Sequence, residues 1–171
     1  MARSRNIRVK MEPPKEKFLP EALRNLQGVY VWVSHLAPDV EGLGLSREQL
    51  RREVTQRLSL AGITVLNSRD LLTTPLFPCL GILLHVDRGP GEPPHHLYSL
   101  EVFFVKAANL LADQSANSLN MVWCREAIGD VRQNQARETD WTALFGSLGE
   151  LVGLFIDDYL EVNSGGPGLL N

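Results

Sequence analysis

The stretch Leu45–Val65, LSREQLRREVTQRLSLAGITV, marks both ends of a helix and the start of the strand that follows it. Ser46 is a preferred N-cap residue, and Gln49 lies three residues further on, which is the spacing of a capping box. Leu45 before the cap and Leu50 after it have the spacing of a hydrophobic staple. The sequence therefore predicts that this helix begins just after Ser46.

The far end of the same helix is marked by Gly62. Glycine readily adopts the left-handed conformation that follows many helices, and Ile63 can then contact Leu58 as in a Schellman motif. The next residues, Thr64 and Val65, are β-branched and favour a strand. Together the two ends predict a helix-to-strand unit.

The residues before this unit predict the first strand of a sheet. Residues 28–34 alternate with period two. One face of that strand carries Val29, Val31 and Val33, and the other carries Tyr30 and Trp32. We expect the helices of the domain to pack on the valine face, because it is the apolar, β-branched side of the strand.

Three further strands follow the unit. The predicted strands are Leu80–Val86, a run from Leu97 to about Leu111, and Leu119–Ile128. The Gly- and Pro-rich segment 87–94 is the strongest turn signal of the chain. These strands are expected to form an antiparallel meander.

The last predicted element is a long helix. Apolar residues from Trp141 to Tyr159 recur at helical spacing, and either Thr139 or Asp140 can cap them. We expect its large side chains, Trp141, Phe145, Val152 and Phe155, to pack on the valine face of the first strand. The predicted order is β-α-β-β-β-β-α, an α+β domain whose mixed or mostly antiparallel sheet carries two helices on one face.

Composition divides the chain into a disordered basic leader (1–22), a single α+β domain (23–163) and a flexible Gly-rich tail (164–171). The leader has six Lys and Arg residues up to position 17. No apolar segment of the length found in signal peptides follows them, so we expect no signal peptide in this chain. The alternative is that an export signal lies further upstream.

Charge and composition exclude several classes of function. A net charge of −3 argues against nucleic acid as a partner, because phosphate binding needs concentrated Lys and Arg. No apolar run reaches the length of a transmembrane segment. Cys79 and Cys124 are predicted to be buried thiols on strands, and a disulfide between them requires that those strands be direct neighbours.

No motif of catalytic chemistry occurs in the sequence. We find no phosphate-binding loop, nucleophile elbow, zinc-binding helix or paired-cysteine site. His95 and His96 are predicted to lie in an exposed turn rather than to bind a metal. Asp157, Asp158 and Glu161 are predicted to form a solvated acidic face, with a cation or an arginine partner as the alternative. We therefore predict no catalytic, cofactor-binding or metal-binding residues, no cofactor, and no enzymatic activity.

The most informative surface is the side of the sheet that the helices leave open. If the helices cover the valines, the opposite side carries Tyr30, Trp32, Leu83, Phe103 and Val105. A patch of this kind is typical of a contact surface. The alternatives are that the segment Phe18–Pro20 or an identical subunit covers it.

The stretch 28–163 resembles a family of small uncharacterised bacterial proteins that are usually made with export signals. The residues that carry the resemblance are Ala61–Val65, Pro78–Ile82, Tyr98–Val102, Val122-Trp123 and Leu151–Asn163. The order of elements is also similar to that of the N-terminal domain of TolB-like envelope proteins, which act as assembly and contact modules. These resemblances imply a periplasmic or envelope location and no catalytic residues. The missing export signal departs from the family pattern, and a cytoplasmic location is the alternative.

Two functions follow from these observations. The first is a non-enzymatic contact or assembly module of the bacterial envelope, with a protein partner or a second copy of the chain bound at the open sheet face. The second is a small-molecule-binding domain that uses the same apolar face as a pocket wall. A flat exposed patch favours the first, and a closed apolar pocket favours the second.

Overall fold

The computed structural model describes residues 20–92, 94–109, 117–134 and 136–164. A 3-10 helix at Pro20–Leu23 precedes the sheet. The strands are β1 (Val29–Val33), β2 (Val65–Leu66), β3 (Cys79–Arg88), β4 (His95–Asn109) and β5 (Asn117–Arg132). The helices are α1 (Pro38–Gly42), α2 (Arg47–Leu60), α3 (Ser68–Thr73) and α4 (Thr142–Asn163).

The strands form one mixed sheet in the order β2-β1-β3-β4-β5. β1 is parallel to both β2 and β3, whereas β3, β4 and β5 form an antiparallel meander. This arrangement confirms the predicted α+β fold with a mixed sheet. The structure adds two short helices to the predicted order, α1 between β1 and α2, and α3 between β2 and β3.

The signals at both ends of α2 are confirmed. Ser46 Oγ accepts a hydrogen bond from the Gln49 amide at 3.2 Å, and Gln49 Oε1 accepts one from the Ser46 amide at 2.7 Å. Gly62 has a φ of +78°, and the Ile63 amide donates to the Leu58 carbonyl at 2.9 Å. This is the Schellman geometry that the sequence predicts.

The two long helices lie side by side on one face of the sheet, as predicted, but α4 does not lie where we expected. α2 packs on β1, whereas α4 packs mainly on β4 and β5. The ring of Phe155 lies 5.3 Å from that of Trp123 and 5.5 Å from that of Phe104. The expectation that Phe155 packs on the β1 valines is therefore wrong. The connectivity explains this, because α2 links two parallel strands and must cross over them, while α4 follows the opposite edge of the sheet.

The fold starts before the predicted boundary at residue 23. Pro20, Glu21 and Ala22, assigned above to the leader, belong to the 3-10 helix. Lys106 Nζ donates to the Ala22 carbonyl at 2.8 Å. Asn163 at the end of α4 donates to the Leu23 carbonyl at 2.9 Å, so the two ends of the domain are joined. Residues 1–19 and 165–171 lie outside the described residues, and the leader and tail stay predictions.

Candidate functional site: the helix-free sheet face

The helix-free face is the side of the sheet opposite α2 and α4, and it carries all five residues predicted for a contact surface. Cross-strand partners in a sheet share a face. Trp32 pairs with Gly81, which in turn pairs with Phe103. By the same register Tyr30, Leu83 and Val105 lie on this side, whereas Val29, Val31 and Val33 are buried beneath the helices.

A glycine allows the aromatic residues of this face to meet. A Cβ atom at Gly81 would collide with the ring of Phe103, so that ring lies directly over the glycine backbone. The ring of Phe103 thereby reaches the ring of Trp32, with centroids 6.3 Å apart and planes inclined at 56°. Trp32 still leaves 39% of its surface exposed. The pair forms an aromatic ridge that none of the described helices covers.

Further large apolar side chains extend this surface along the meander. In addition to Trp32, five exposed apolar residues lie on the helix-free face by their register: Leu83, Leu97, Leu119, Met121 and Ile128. Ile128, at 58%, is the most exposed of them. Single exposed apolar side chains are ordinary, but several on one sheet face indicate a surface that contacts something else.

The charges on this face are mainly negative. Glu101 and Glu126 are direct cross-strand partners in its middle. Asp87 lies 3.0 Å from the ring nitrogen of His85, and Asp130 lies 3.4 Å from the Arg132 guanidinium near one end of the meander. None of the ion pairs found between described residues includes Glu101 or Glu126. The middle of the face therefore combines apolar side chains with two adjacent carboxylates.

Both cysteines lie on this face but on strands that are not neighbours. β4 separates Cys79 on β3 from Cys124 on β5, and both thiols are free. Burial raises the pKa of the Cys79 thiol to about 11. Burial and then the charges of Glu101 and Glu126 raise the pKa of Cys124 to about 12. Both thiols lie on strands as predicted, but only Cys79 is buried and Cys124 is partly exposed, and the strand order excludes a disulfide between them.

The structure brings together three side chains of metal-ligating type that no pattern in the sequence indicates. Ligand atoms of Glu101, Cys124 and Glu126 all lie within 4.8 Å of one another. The alternation along β5 places Cys124 and Glu126 on one face, but only the register of β4 with β5 brings Glu101 to them. No short hairpin turn in the sequence fixes that register, so no local pattern points to the cluster.

The histidines do not lie as predicted. His95 and His96 are the first residues of β4 rather than part of an exposed turn, and both are half-buried. Adjacent strand residues point to opposite faces, so these two rings do not converge on one ion. The turn prediction was wrong because β4 begins at His95, directly after Pro94, so the Pro-rich turn does not extend to the histidines.

A shallow cleft lies beside β1, next to the residues that extend beyond the end of the neighbouring strand β2. β2 pairs only with Val29 and Tyr30, and beyond them the cleft, with a volume of about 220 Å³, is lined by Tyr30, Trp32, Arg47 and Arg51 among others. Arg47 donates to the Val33 carbonyl at 2.9 Å, and the Arg51 guanidinium lies 5.2 Å from the centre of the Tyr30 ring. Charged side chains thus border this cleft, which makes it unlike the enclosed apolar pockets that bind small molecules.

No protein-family model and no curated protein matches this chain. Three solved structures are similar to it: the hypothetical protein CT253 from Chlamydia trachomatis, a minor lipoprotein from Acinetobacter baumannii and the rare lipoprotein B from Shewanella oneidensis. CT253 is 14% identical with a TM-score of 0.45, covering 80% of this chain and 99% of its own. The two lipoproteins are 11% and 15% identical with TM-scores of 0.39 and 0.35, each covering 77% of this chain and 91% of its own.

These similarities are too distant to establish a family or a function, and none of the three proteins bears the name of a TolB-like protein. The resemblance to TolB-like proteins therefore stays a prediction. Within the part of the chain that the structure describes, no helix has both the length and the apolar composition needed to cross a bilayer.

Proposed function

We propose that this protein is a non-enzymatic contact module of the bacterial cell envelope that binds another protein through its helix-free sheet face. The observation that carries the proposal is the set of six exposed large apolar residues on that face, with Trp32 packed against Phe103 at its β1 side. Aromatic residues within an exposed apolar surface are the usual anchors of protein interfaces.

The charges of the face define the chemistry of the partner. Glu101 and Glu126 lie among the apolar residues, and no ion pair among the described residues neutralises them. A partner that buries these carboxylates must supply positive charge, because burying an unpaired charge costs several kcal/mol or more. The partner surface is therefore apolar and carries at least one Lys or Arg opposite this pair.

The alternative function, small-molecule binding, has less support. The cleft beside β1 is bordered by Arg47, Glu48 and Arg51. An apolar ligand gains most where a pocket encloses the greater part of its surface. The exposed apolar residues of the helix-free face therefore favour a macromolecular partner over a small apolar ligand.

The proposed location in the envelope rests on the sequence resemblance alone. Fractionation of the native cell tests it, with the protein followed by an antibody in the periplasmic, membrane and cytoplasmic fractions. We expect the protein in the periplasmic or membrane fraction. Recovery only with a cytoplasmic marker enzyme would rule out the envelope role and leave the contact surface to be tested separately.

Site-specific photo-crosslinking in the native cell tests the contact surface. A photoreactive amino acid replaces Leu83 or Ile128 on the helix-free face, and Leu60 on the outer side of α2 is the matched control, because it is an equally apolar and even more exposed residue. We expect a discrete crosslinked product from the two sheet positions and none from position 60. Equal crosslinking from all three positions, or none from any, would contradict the proposal.

A second variant identifies the partner and its chemistry. Leu83→Glu adds charge to the middle of the face and should abolish the product formed from position 128. Mass spectrometry of the crosslinked peptide should find an apolar segment with a nearby Lys or Arg. If the peptide comes from this same chain, and the purified protein sediments as a dimer, the partner is a second copy.

A further inference from the structure

We propose that Glu101, Cys124 and Glu126 form a three-ligand site for a borderline-soft divalent cation of the Zn²⁺ class. The site lies on the helix-free face, but it goes beyond the contact role and does not depend on it. The ion and a Lys or Arg of a partner are alternative counter-charges for the same two carboxylates, so metal binding to the isolated protein does not require the contact role.

The positions of the three side chains are set by the sheet. Glu101 and Glu126 are direct partners across β4 and β5, and Cys124 pairs with Phe103, one step further along the same face. Their ligand atoms lie within 4.8 Å of one another. Donor atoms bound to one tetrahedral zinc ion are about 3.3–3.8 Å apart. Small side-chain rotations of the two glutamates therefore close the site, and the strands do not have to move.

The electrostatics of the site favour a cation. Like charges directly opposite each other on neighbouring strands destabilise a sheet, and Glu101 faces Glu126 in this way. The nearest arginine along β5, Arg125, lies on the other side of the sheet, where it contacts the Trp123 ring and Asp158 of α4. A divalent ion between the carboxylates converts their repulsion into two favourable contacts.

The thiol decides which class of cation fits. Mg²⁺ and Ca²⁺ take oxygen ligands, whereas Zn²⁺ and Co²⁺ accept a thiolate together with carboxylates. The Cys124 thiol lies among the carboxylates of Glu101 and Glu126. On binding, the sulfur gives up its proton to solvent, and the S–H bond is replaced by an S–metal bond. Because Glu101 and Cys124 are only half-buried and Glu126 is exposed, the fourth position is open to water.

Titration of the purified, untagged full-length protein with Co²⁺ tests the site. A cobalt–thiolate bond produces a charge-transfer absorption in the near ultraviolet, which carboxylate ligands alone do not give. We expect this band to saturate at one ion per chain and to disappear when excess Zn²⁺ displaces the cobalt. Isothermal titration with Zn²⁺ should give the same stoichiometry.

Matched variants assign the ligands. Cys124→Ser should remove the band, whereas Cys79→Ser should retain it, because Cys79 is buried on β3 and belongs to no donor cluster among the described residues. Glu101→Gln and Glu126→Gln should each weaken Zn²⁺ binding at least about tenfold, whereas Asp130→Asn, on the same face of β5, should not. Far-ultraviolet circular dichroism shows whether each variant is folded.

Two outcomes would overturn the proposal. The first is the absence of a saturable cobalt–thiolate band in the folded wild-type protein. The second is a band that persists in the Glu101→Gln, Glu126→Gln double variant, since the thiol would then bind cobalt without the site. Neither outcome affects the crosslinking test of the contact role, so the two proposals can fail independently.

Discussion

The indole nitrogen of Trp123 donates a 2.8 Å hydrogen bond to Asp158 Oδ2, and this bond ties the edge strand β5 to α4. Trp123 is only 1% exposed, so its N–H has no access to bulk solvent and needs a partner within the protein. The Arg125 guanidinium lies 3.8 Å from the same carboxylate. The solvated acidic face predicted from the sequence is therefore correct for Asp157 and Glu161, which are exposed, but wrong for Asp158.

Replacing Asp158 with alanine should destabilise the protein. The change leaves the buried indole N–H without an acceptor, which costs about 1–3 kcal/mol in the free energy of unfolding. The neighbouring variant Asp157→Ala is the control and should change it by no more than about 0.5 kcal/mol, because that side chain is exposed. Urea denaturation followed by tryptophan fluorescence measures both. Equal losses in the two variants would mean that the hydrogen bond to Trp123 contributes nothing specific.

Replacing Phe155 with alanine should lower the free energy of unfolding by more than Asp158→Ala does. Its side chain is fully buried, and its ring contacts the rings of Phe104, Trp123 and Tyr159. Large-to-small changes in such aromatic cores cost about 3–5 kcal/mol. Leu154→Ala is the control, because Leu154 is 46% exposed on the outer side of the same helix. A loss below about 1 kcal/mol for Phe155→Ala would show that α4 packs differently on β4 and β5.

Two glycine-to-alanine substitutions should have opposite effects. Gly62 has a φ of +78°, where a Cβ atom is strained, so Gly62→Ala should lower the free energy of unfolding by about 1–2 kcal/mol. Gly146 lies inside α4 with no atom near the position of its missing Cβ. Gly146→Ala should therefore stabilise the protein by up to about 1 kcal/mol. Thermal unfolding of both variants under the same conditions measures the two effects. A loss of stability in Gly146→Ala would show that another group occupies the position of the added Cβ atom.

Local sequence signals predicted the parts of the fold that depend on neighbouring residues. The ends of α2 were predicted because Ser46, Gln49 and Gly62 act through bonds within a few positions along the chain. The partner of Phe155 was not predictable in this way, because it depends on which strands lie beneath α4. That placement follows from the strand order, which links residues far apart in sequence.

The candidate sites also differ in whether they depend on neighbouring residues or on residues far apart in the sequence. Alternation within β1 sufficed to place Tyr30 and Trp32 opposite the valines. The cluster of Glu101, Cys124 and Glu126 depends on the pairing of β4 with β5, and no two-residue turn in the sequence sets that register. Side chains that meet across strands can be found from one sequence only when the turn between the strands fixes their pairing.

Replacing Trp32 with alanine tests whether the helix-free face is a contact surface rather than part of the core. Trp32 is 39% exposed, and its ring packs against the ring of Phe103. Since aromatic anchors contribute most of the binding energy at interfaces, we expect Trp32→Ala to abolish the crosslinked product formed from position 128. We expect the melting temperature to fall by no more than about 4 °C, which corresponds to about 1 kcal/mol for a chain of this size.

The comparison of wild type, Trp32→Ala and Trp32→Phe separates the two roles of this side chain. Phenylalanine retains an aromatic ring next to Phe103, so Trp32→Phe should keep the melting temperature near that of the wild type and retain part of the crosslinking. Sedimentation of the three purified proteins shows whether any self-association changes in parallel. If Trp32→Ala leaves crosslinking and sedimentation unchanged but lowers the melting temperature by more than about 10 °C, Trp32 is a core residue. The contact role would then lose its aromatic anchor, because the remaining exposed apolar residues of the face are Leu, Ile and Met side chains.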